Sequence, residues 1–271
     1  MSGIEVQLFY VEDEGSVIEN VLPGLEVNQS VNKRTLLETC ISSIKRTNPD
    51  AEITFLTNST TKVHHGLKDI NIIETDDIKP ETLVYDLNCF RRNYIDANKD
   101  TGKNVFFTDI DVLINCDLNL LFEEKFDIQT SVDKSATHSM TSRGLPENNL
   151  FFRFTGGGFF SKCNERSVSF FDDYLALWKH LHETESFENY GSLGPDVKKN
   201  FFRWWGEIHT FCVMVGPGVL RGKKDKEVIS TCKFNFLDED EYNFAPSSRE
   251  LFETFKLPDL GAAHLHLLKI A

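Results

Sequence analysis

The sequence predicts an α/β fold in which a mixed, mainly parallel sheet is flanked by helices. Three observations carry this prediction. Near the start, a strand-length apolar run, a helical run and a second strand-length run follow one another, the order that a crossover unit of a parallel sheet requires. In mid-chain, Val105-Phe106-Phe107-Thr108 leads into Asp109-Ile110-Asp111 and then into Val112-Leu113-Ile114, which reads as a buried strand ending at a ligand site. The chain has 271 residues and is 40% apolar, enough for one large domain with a substantial core.

The elements follow in order. Ile4 to Val11 is a good first strand, closed by the acidic Glu12-Asp13-Glu14. A helix is expected from Val31 to Thr47, because Leu36, Leu37, Cys40, Ile41 and Ile44 recur at helical spacing; Asn48-Pro49 stops it. Strands are expected at Glu52 to Thr57 and Asp69 to Glu74. Leu83 to Ala97 is the next helix, with Val84, Leu87, Phe90 and Tyr94 inward and Arg91-Arg92 side by side. After the aspartate-bearing strand come a capped turn at 117–122 and a short strand at Phe126 to Thr130. Residues 131–150 are polar without a period and read as a long loop at the site.

A strand is expected at Phe151 to Thr155, running into Gly156-Gly157-Gly158. Three glycines inside an apolar strand weaken it, so they imply a close approach of backbone to a ligand or a structural bulge. Asn164 to Leu181 is a long helix with Val168, Phe171, Leu175 and Trp178 as its core stripe. Gly194-Pro195-Asp196 opens a short helix through Phe202. Ile208 to Val215 is read as a strand ended by Pro217-Gly218, and Phe234 to Leu237 as a late strand. The chain ends on His264-Leu265-His266-Leu267-Leu268-Lys269 in apolar surroundings.

Composition sets limits on function. A formal net charge of −13 disfavours a nucleic-acid backbone binder, which needs a positive footprint. No run is apolar over the length that spans a bilayer, and the N-terminus lacks a secretory pattern. The expected location is the cytoplasm, at most peripheral to a membrane surface. The six cysteines form no CxxC pair and read as free thiols rather than zinc ligands.

Asp109 and Asp111 are the centre of the chemistry. Two carboxylates side by side repel, and a cation relieves the repulsion. Mg²⁺ and Mn²⁺ take oxygen ligands and commonly use one or two carboxylates together with phosphate. The plain alternative is a pair of solvated acids in a turn. Asp196 suits either a positioned carboxylate or an ordinary first-turn acid. His264 and His266 share a face if extended, and imidazole is a ready ligand for Mn²⁺.

With these residues in place, the chain resembles nucleotide-sugar glycosyltransferases of the GT-A (Rossmann-like) fold, near the type that includes glycogenin and the bacterial surface-glycan galactosyltransferases. The resemblance rests on the Asp-x-Asp strand, the glycine-rich strand opening, the acidic turn and the histidine- and lysine-bearing tail. It implies one domain over 1–271, with a nucleotide-binding half at 1–115 and an acceptor-binding half with a metal-ligand tail at 116–271. It implies a UDP-sugar donor held through Mn²⁺ or Mg²⁺ by Asp109, Asp111 and His264 or His266, with Asp109 also meeting the ribose. Lys269 would contact the diphosphate, Phe9, Tyr10 and Val11 would line the base pocket, and Arg91 would match the arginine on the helix before the metal strand. Gly157 and Gly158 would admit the donor or acceptor sugar, and Asp196 would be the catalytic carboxylate. The acceptor would be a glycan or lipid-linked glycan hydroxyl. An aspartyl-nucleophile phosphatase is the competing enzyme, since an apolar strand followed by Asp-x-Asp opens that fold too; a non-catalytic nucleotide- or glycan-binding module is the other alternative.

Overall fold

The computed structural model describes residues 3–12, 33–132, 154–184, 194–220, 226–238 and 266–268. Ten strands and six α-helices lie within them: β1 (Ile4–Phe9), α1 (Lys33–Thr47), β2 (Glu52–Thr57), β3 (Asn71–Glu74), α2 (Leu83–Asn98), β4 (Asn104–Asp109), β5 (Val112–Ile114), α3 (Leu118–Phe122), β6 (Ile128–Val132), β7 (Phe154–Lys162), α4 (Glu165–Thr184), α5 (Gly194–Lys199), α6 (Gly206–Leu220), β8 (Lys226–Ile229), β9 (Cys232–Asp238) and β10 (His266–Leu268). A π-turn, Phe201–Trp205, joins α5 to α6.

Eight strands form one sheet in the order β3-β2-β1-β4-β7-β6-β9-β8. β3, β2, β1 and β4 are mutually parallel, as are β6 and β9; β7 runs antiparallel to both β4 and β6, and β8 antiparallel to β9. This is the mixed, mainly parallel sheet flanked by helices of a GT-A, Rossmann-like fold, and it draws strands from both halves of the chain.

The central strands are buried on both faces, and their side chains alternate between two cores. Phe107 and Phe159 face the core shared with α2, α4 and α6, whereas Phe106 and Phe160 face the one shared with α1 and α3. The Phe106 and Phe160 rings stack at 4.1 Å, directly across the β4–β7 pairing. A Cβ at Gly158 would stand 2.6 Å from the Phe106 ring and 2.9 Å from the Phe107 carbonyl oxygen, so glycine there has a packing reason.

Three elements differ from the sequence reading. Ile208 to Val215 is not a strand but the middle of α6. The helix packs between α4, the π-turn and the sheet, and its apolar residues run around it, so its sequence lacks a 3.6-residue period to reveal it. The first helical stretch ends where expected, at Gly216 (φ 71°, ψ 171°) directly before Pro217-Gly218, and a second short stretch continues to Leu220. Of the strand expected at Phe151 to Thr155, residues 151–153 lie outside the described residues; β7 extends the rest to Lys162, straight through the glycines. The helix expected to run through Phe202 stops at Lys199 and gives way to the π-turn. Residues 131 and 132 belong to β6, and the rest of the expected 131–150 loop lies outside the described residues.

The candidate donor and metal site

The parallel strands β3, β2, β1 and β4 share a carboxyl edge, and the register levels it: Leu56, Phe9 and Asp109 lie side by side on β2, β1 and β4. In an open α/β sheet this edge is where ligands bind. Phe9, Tyr10 and Val11 leave β1 there. Phe9 packs against a small core of Val11, Leu56, Ile78 and Leu87, and the Tyr10 backbone N–H donates to the Leu56 carbonyl at 3.3 Å. Burial, helped by the Glu12 charge, pushes the Tyr10 hydroxyl up to about 12.

Asp109 closes β4 and Asp111 precedes β5, and both keep partial exposure beside buried Thr108 and Ile110. β5 is held on one side by α1: the Cys40 thiol donates to the Val112 carbonyl at 3.2 Å, and the Ile114 N–H donates to Ser43 Oγ at 3.0 Å. On the other side it pairs with β10, which runs parallel to it with His266 opposite Val112. The backbone of the chain's end is thereby set one residue from Asp111. His264 and Lys269 lie outside the described residues.

The electrostatics of this corner are those of crowded negative charge. Burial first, and then the Asp111 charge, push the Asp109 carboxyl well above the usual carboxylate range; Arg91 pulls it back and Glu207 pushes it further up. The neighbouring Cys40 thiol is raised by burial and then by both aspartates.

Arg91, on the inner face of α2, is 2% exposed and belongs to a buried polar group that the sequence did not announce. Its Nη1 lies 3.2 Å from Glu207 Oε1 and donates at the same distance to Asn88 Oδ1. Asn88 Nδ2 donates to Glu207 at 3.0 Å. The guanidinium also sits 5.7 Å from the Phe107 ring centre and 5.5 Å from that of Phe159. Glu207 is raised by burial, against the pull of Arg91 and Asn88. It was legible only as an acid directly after Gly206 at the head of an apolar run, and reading that run as a strand hid it. Arg92, its neighbour in sequence, points elsewhere and pairs with Asp96 and Asp172.

Asp196 sits in the first turn of α5. It accepts hydrogen bonds from Asn200 Nδ2 at 2.9 Å and Trp205 Nε1 at 3.2 Å, which tie it to its own helix and the π-turn. Gly158 lies opposite Thr108, one residue before Asp109, on the neighbouring strand β7, and Gly157 precedes it on the same strand.

Residues 90–248, more than half of the chain, match the family model described as nucleotide-diphospho-sugar transferase. The chain belongs to this family. The matched span includes Arg91, the aspartate pair, the glycine strand, Asp196 and Glu207. No match is found among curated proteins. Of solved structures, the glycosyltransferase GlyE of Streptococcus pneumoniae TIGR4 is 15% identical; the alignment covers 100% of this chain and 55% of that chain, with a TM-score of 0.45. The chain therefore spans about half the length of GlyE. The galactosyltransferase LgtC, in complex with donor and acceptor sugar analogues, is 11% identical over 98% of this chain and 87% of that one, with a TM-score of 0.46. Mouse xyloside xylosyltransferase 1 in its apo form is 10% identical over 99% and 97%, with a TM-score of 0.45. No helix among the described residues is long and apolar enough to cross a membrane.

Proposed function

We propose that the protein transfers a sugar from a UDP-sugar to a hydroxyl of a glycan or lipid-linked glycan, with a divalent cation, Mn²⁺ or Mg²⁺, held by Asp109, Asp111 and a histidine of the tail. The observation that carries this is the pairing of β10 with β5, which sets His266 opposite Val112 beside the aspartate pair. The donor set suits such an ion: carboxyl oxygens are its preferred ligands, and the burial and Asp111 charge that raise Asp109 are what a cation would offset. His266 and His264 are both candidates for the imidazole. When bound, the ion would neutralise charge on the departing diphosphate.

The chain's own residues would do the rest. Phe9, Tyr10 and Val11 would flank the uracil, where a Tyr10 hydroxyl kept protonated at neutral pH can donate as well as accept. Asp109 would also meet the ribose, and Lys269 would clamp the diphosphate. Gly157 would leave room for a sugar beside β4, whereas the space at Gly158 is filled by the Phe106 ring. Two carboxylates compete for the place facing the anomeric carbon. Both are hydrogen-bonded, Glu207 to Arg91 and Asn88 and Asp196 to Asn200 and Trp205, and Glu207 is favoured because its charge is felt at Asp109. Arg91 and Asn88 would then be positioning residues that fix the Glu207 carboxylate.

Thermal melting of the protein with Mn²⁺ and UDP tests the reading, followed by hydrolysis of UDP-sugars. A UDP-dependent rise in Tm that needs Mn²⁺, and that Asp111→Ala abolishes, is the expected result. An undiminished rise in Asp111→Ala removes the metal assignment. Stabilisation by UDP and Mn²⁺ without hydrolysis or transfer on any acceptor would instead mark a binding module.

A further inference from the structure

A second group of ligating side chains stands on the same carboxyl edge of the sheet, at its terminal strand β3. His64, His65 and Glu74 each offer one ligand atom, all within 4.8 Å of one another. We infer that these three residues form a binding site for a borderline divalent cation of the Zn²⁺ class, which would clip the β2–β3 connection to the edge strand β3.

The placement follows from the fold. β3 is the terminal strand, with only β2 beside it in the sheet order, and all but one of its side chains are exposed. Glu74 ends it, opposite Thr57 of β2. The two histidines lie in the connection between these strands, and that connection is built to hold them still. Arg34 Nη1 donates to the Val63 and His65 carbonyls at 2.8 and 2.6 Å, and Glu38 meets the arginine's charge at 2.6 Å. The Leu67 N–H donates to the His64 carbonyl, and the His64 ring lies 5.7 Å from that of Phe55 in the core.

The second observation is within His64 itself. The side chain is 4% exposed, and Nε2 is 2.9 Å from Glu74 Oε1. Its Nδ1 is buried with no hydrogen-bond partner among the described residues. Nδ1 and Nε2 diverge across the ring, so an ion shared with Glu74 would be held through Nε2 and would take the place of its hydrogen bond to the carboxylate. The His65 ring meets that of His64 edge-on at 4.9 Å, so a second imidazole is within reach of the same point. Two imidazoles and one carboxylate are a ligand set that Zn²⁺ accepts, with a fourth position left for water. This set differs from the oxygen-rich corner at Asp109 and Asp111, which lies three strands away in the sheet, about 14 Å at ordinary strand spacing.

The test uses the full chain carrying Asp111→Ala, so that the proposed catalytic ion is silenced and the two readings fail separately. Stripped protein is dialysed against Zn²⁺ and the bound metal is counted; Co²⁺ replaces Zn²⁺ for absorption spectra. One Zn²⁺ per chain is expected, with a tetrahedral Co²⁺ spectrum. Adding His65→Ala or Glu74→Gln, both on exposed side chains, should weaken binding by at least the roughly 10- to 100-fold that loss of an outer-sphere partner alone costs. With Asp111 intact, His65→Ala should leave the Mn²⁺-dependent rise with UDP unchanged. Binding that is equally tight with and without His65, or no stoichiometric Zn²⁺ at all, would overturn the inference and leave His64 and Glu74 as a plain hydrogen-bonded pair.

Discussion

The buried pair of Arg91 and Glu207 gives the most exacting test of how the site is held. Replacing Arg91 with Met keeps an unbranched apolar chain between the Phe107 and Phe159 rings but removes the charge. Glu207, about 8% exposed, is then left with Asn88 as its remaining partner in this group. Breaking a buried pair from one side costs about 3–5 kcal/mol, and losing the contact with two aromatic faces adds about 1 kcal/mol. Glu207→Gln also breaks the pair from one side, but the amide oxygen still accepts from Arg91, so its cost should fall at the lower end of that range, about 3 kcal/mol. The double variant carries no buried charge at this place, so its loss should fall short of the sum by about 2 kcal/mol. Urea unfolding of the four proteins measures this. The pH dependence adds an independent sign. Glu207 already has a raised carboxyl, and without Arg91 it rises further. A carboxyl higher in the folded state than in the unfolded one makes the fold bind more protons between those two values, so stability grows as pH falls through that window. The deficit of Arg91→Met should therefore be smaller at about pH 5 than at about pH 8. Losses that add to within about 0.5 kcal/mol, or a deficit that grows in acid, would show that Glu207 does not depend on Arg91.

Gly206→Ala should destabilise the protein by about 3 kcal/mol or more, because the new Cβ would stand 1.9 Å from Trp178 Nε1 and 2.4 Å from the Phe201 carbonyl oxygen; thermal melting reads the loss, and donor hydrolysis should fall with it since Glu207 is the next residue. Asp127 is buried but accepts from Arg166, from Asn164 and from the Lys233 N–H, and these hold its carboxyl below the usual range against the effect of burial. Its contribution to stability is present above the ordinary carboxylate pKa and is lost as pH falls through the folded value, so Asp127→Asn should flatten the acid limb of the Tm–pH curve. His266→Ala and His264→Ala, made separately, should differ in their effect on the Mn²⁺-dependent rise with UDP: the ligand's loss weakens metal affinity by at least about tenfold, while the other leaves it nearly unchanged.

The parts of this fold that were legible in the sequence are those whose environment is one-sided. α1 and α4 each show one apolar stripe because each lies on one face of the sheet, and the stripe names Leu36, Leu37, Cys40 and Ile41, or Val168, Phe171 and Trp178, as core. β4 was visible for a different reason: a strand buried on both faces must be apolar almost throughout, so two aspartates at its end stand out. α6 was hidden because its apolar residues run around the helix, with even the exposed Val213 among them, and this erases the periodicity that distinguishes a helix from a strand. That one misreading also concealed Glu207, since a strand beginning at Ile208 leaves the preceding acid in a connection rather than at the head of a buried helix. His64 and Glu74 could not be joined on sequence grounds either, because their meeting depends on how a ten-residue offset turns back onto an edge strand.

The site's geometry rests on β5, a strand of three residues. So short a segment cannot hold its own conformation, and its register must come from what borders it. α1 borders one side through Cys40 and Ser43, a contact made by the first crossover helix. β10 borders the other, and it comes from the chain's end. The aspartate pair immediately before β5 therefore takes its position from both the beginning and the end of the sequence. If the tail pairs with β5 only when a cation draws His264 or His266 toward Asp111, ordering of β10 and metal binding are one event. Amide hydrogen exchange in Val112–Ile114 and His266–Leu268 should then slow together when Mn²⁺ and UDP are added, and the slowing should vanish in Asp111→Ala. Protection of β5 that is the same with and without the ion would mean that the sheet pairing alone places the tail, and that the imidazole arrives already in position.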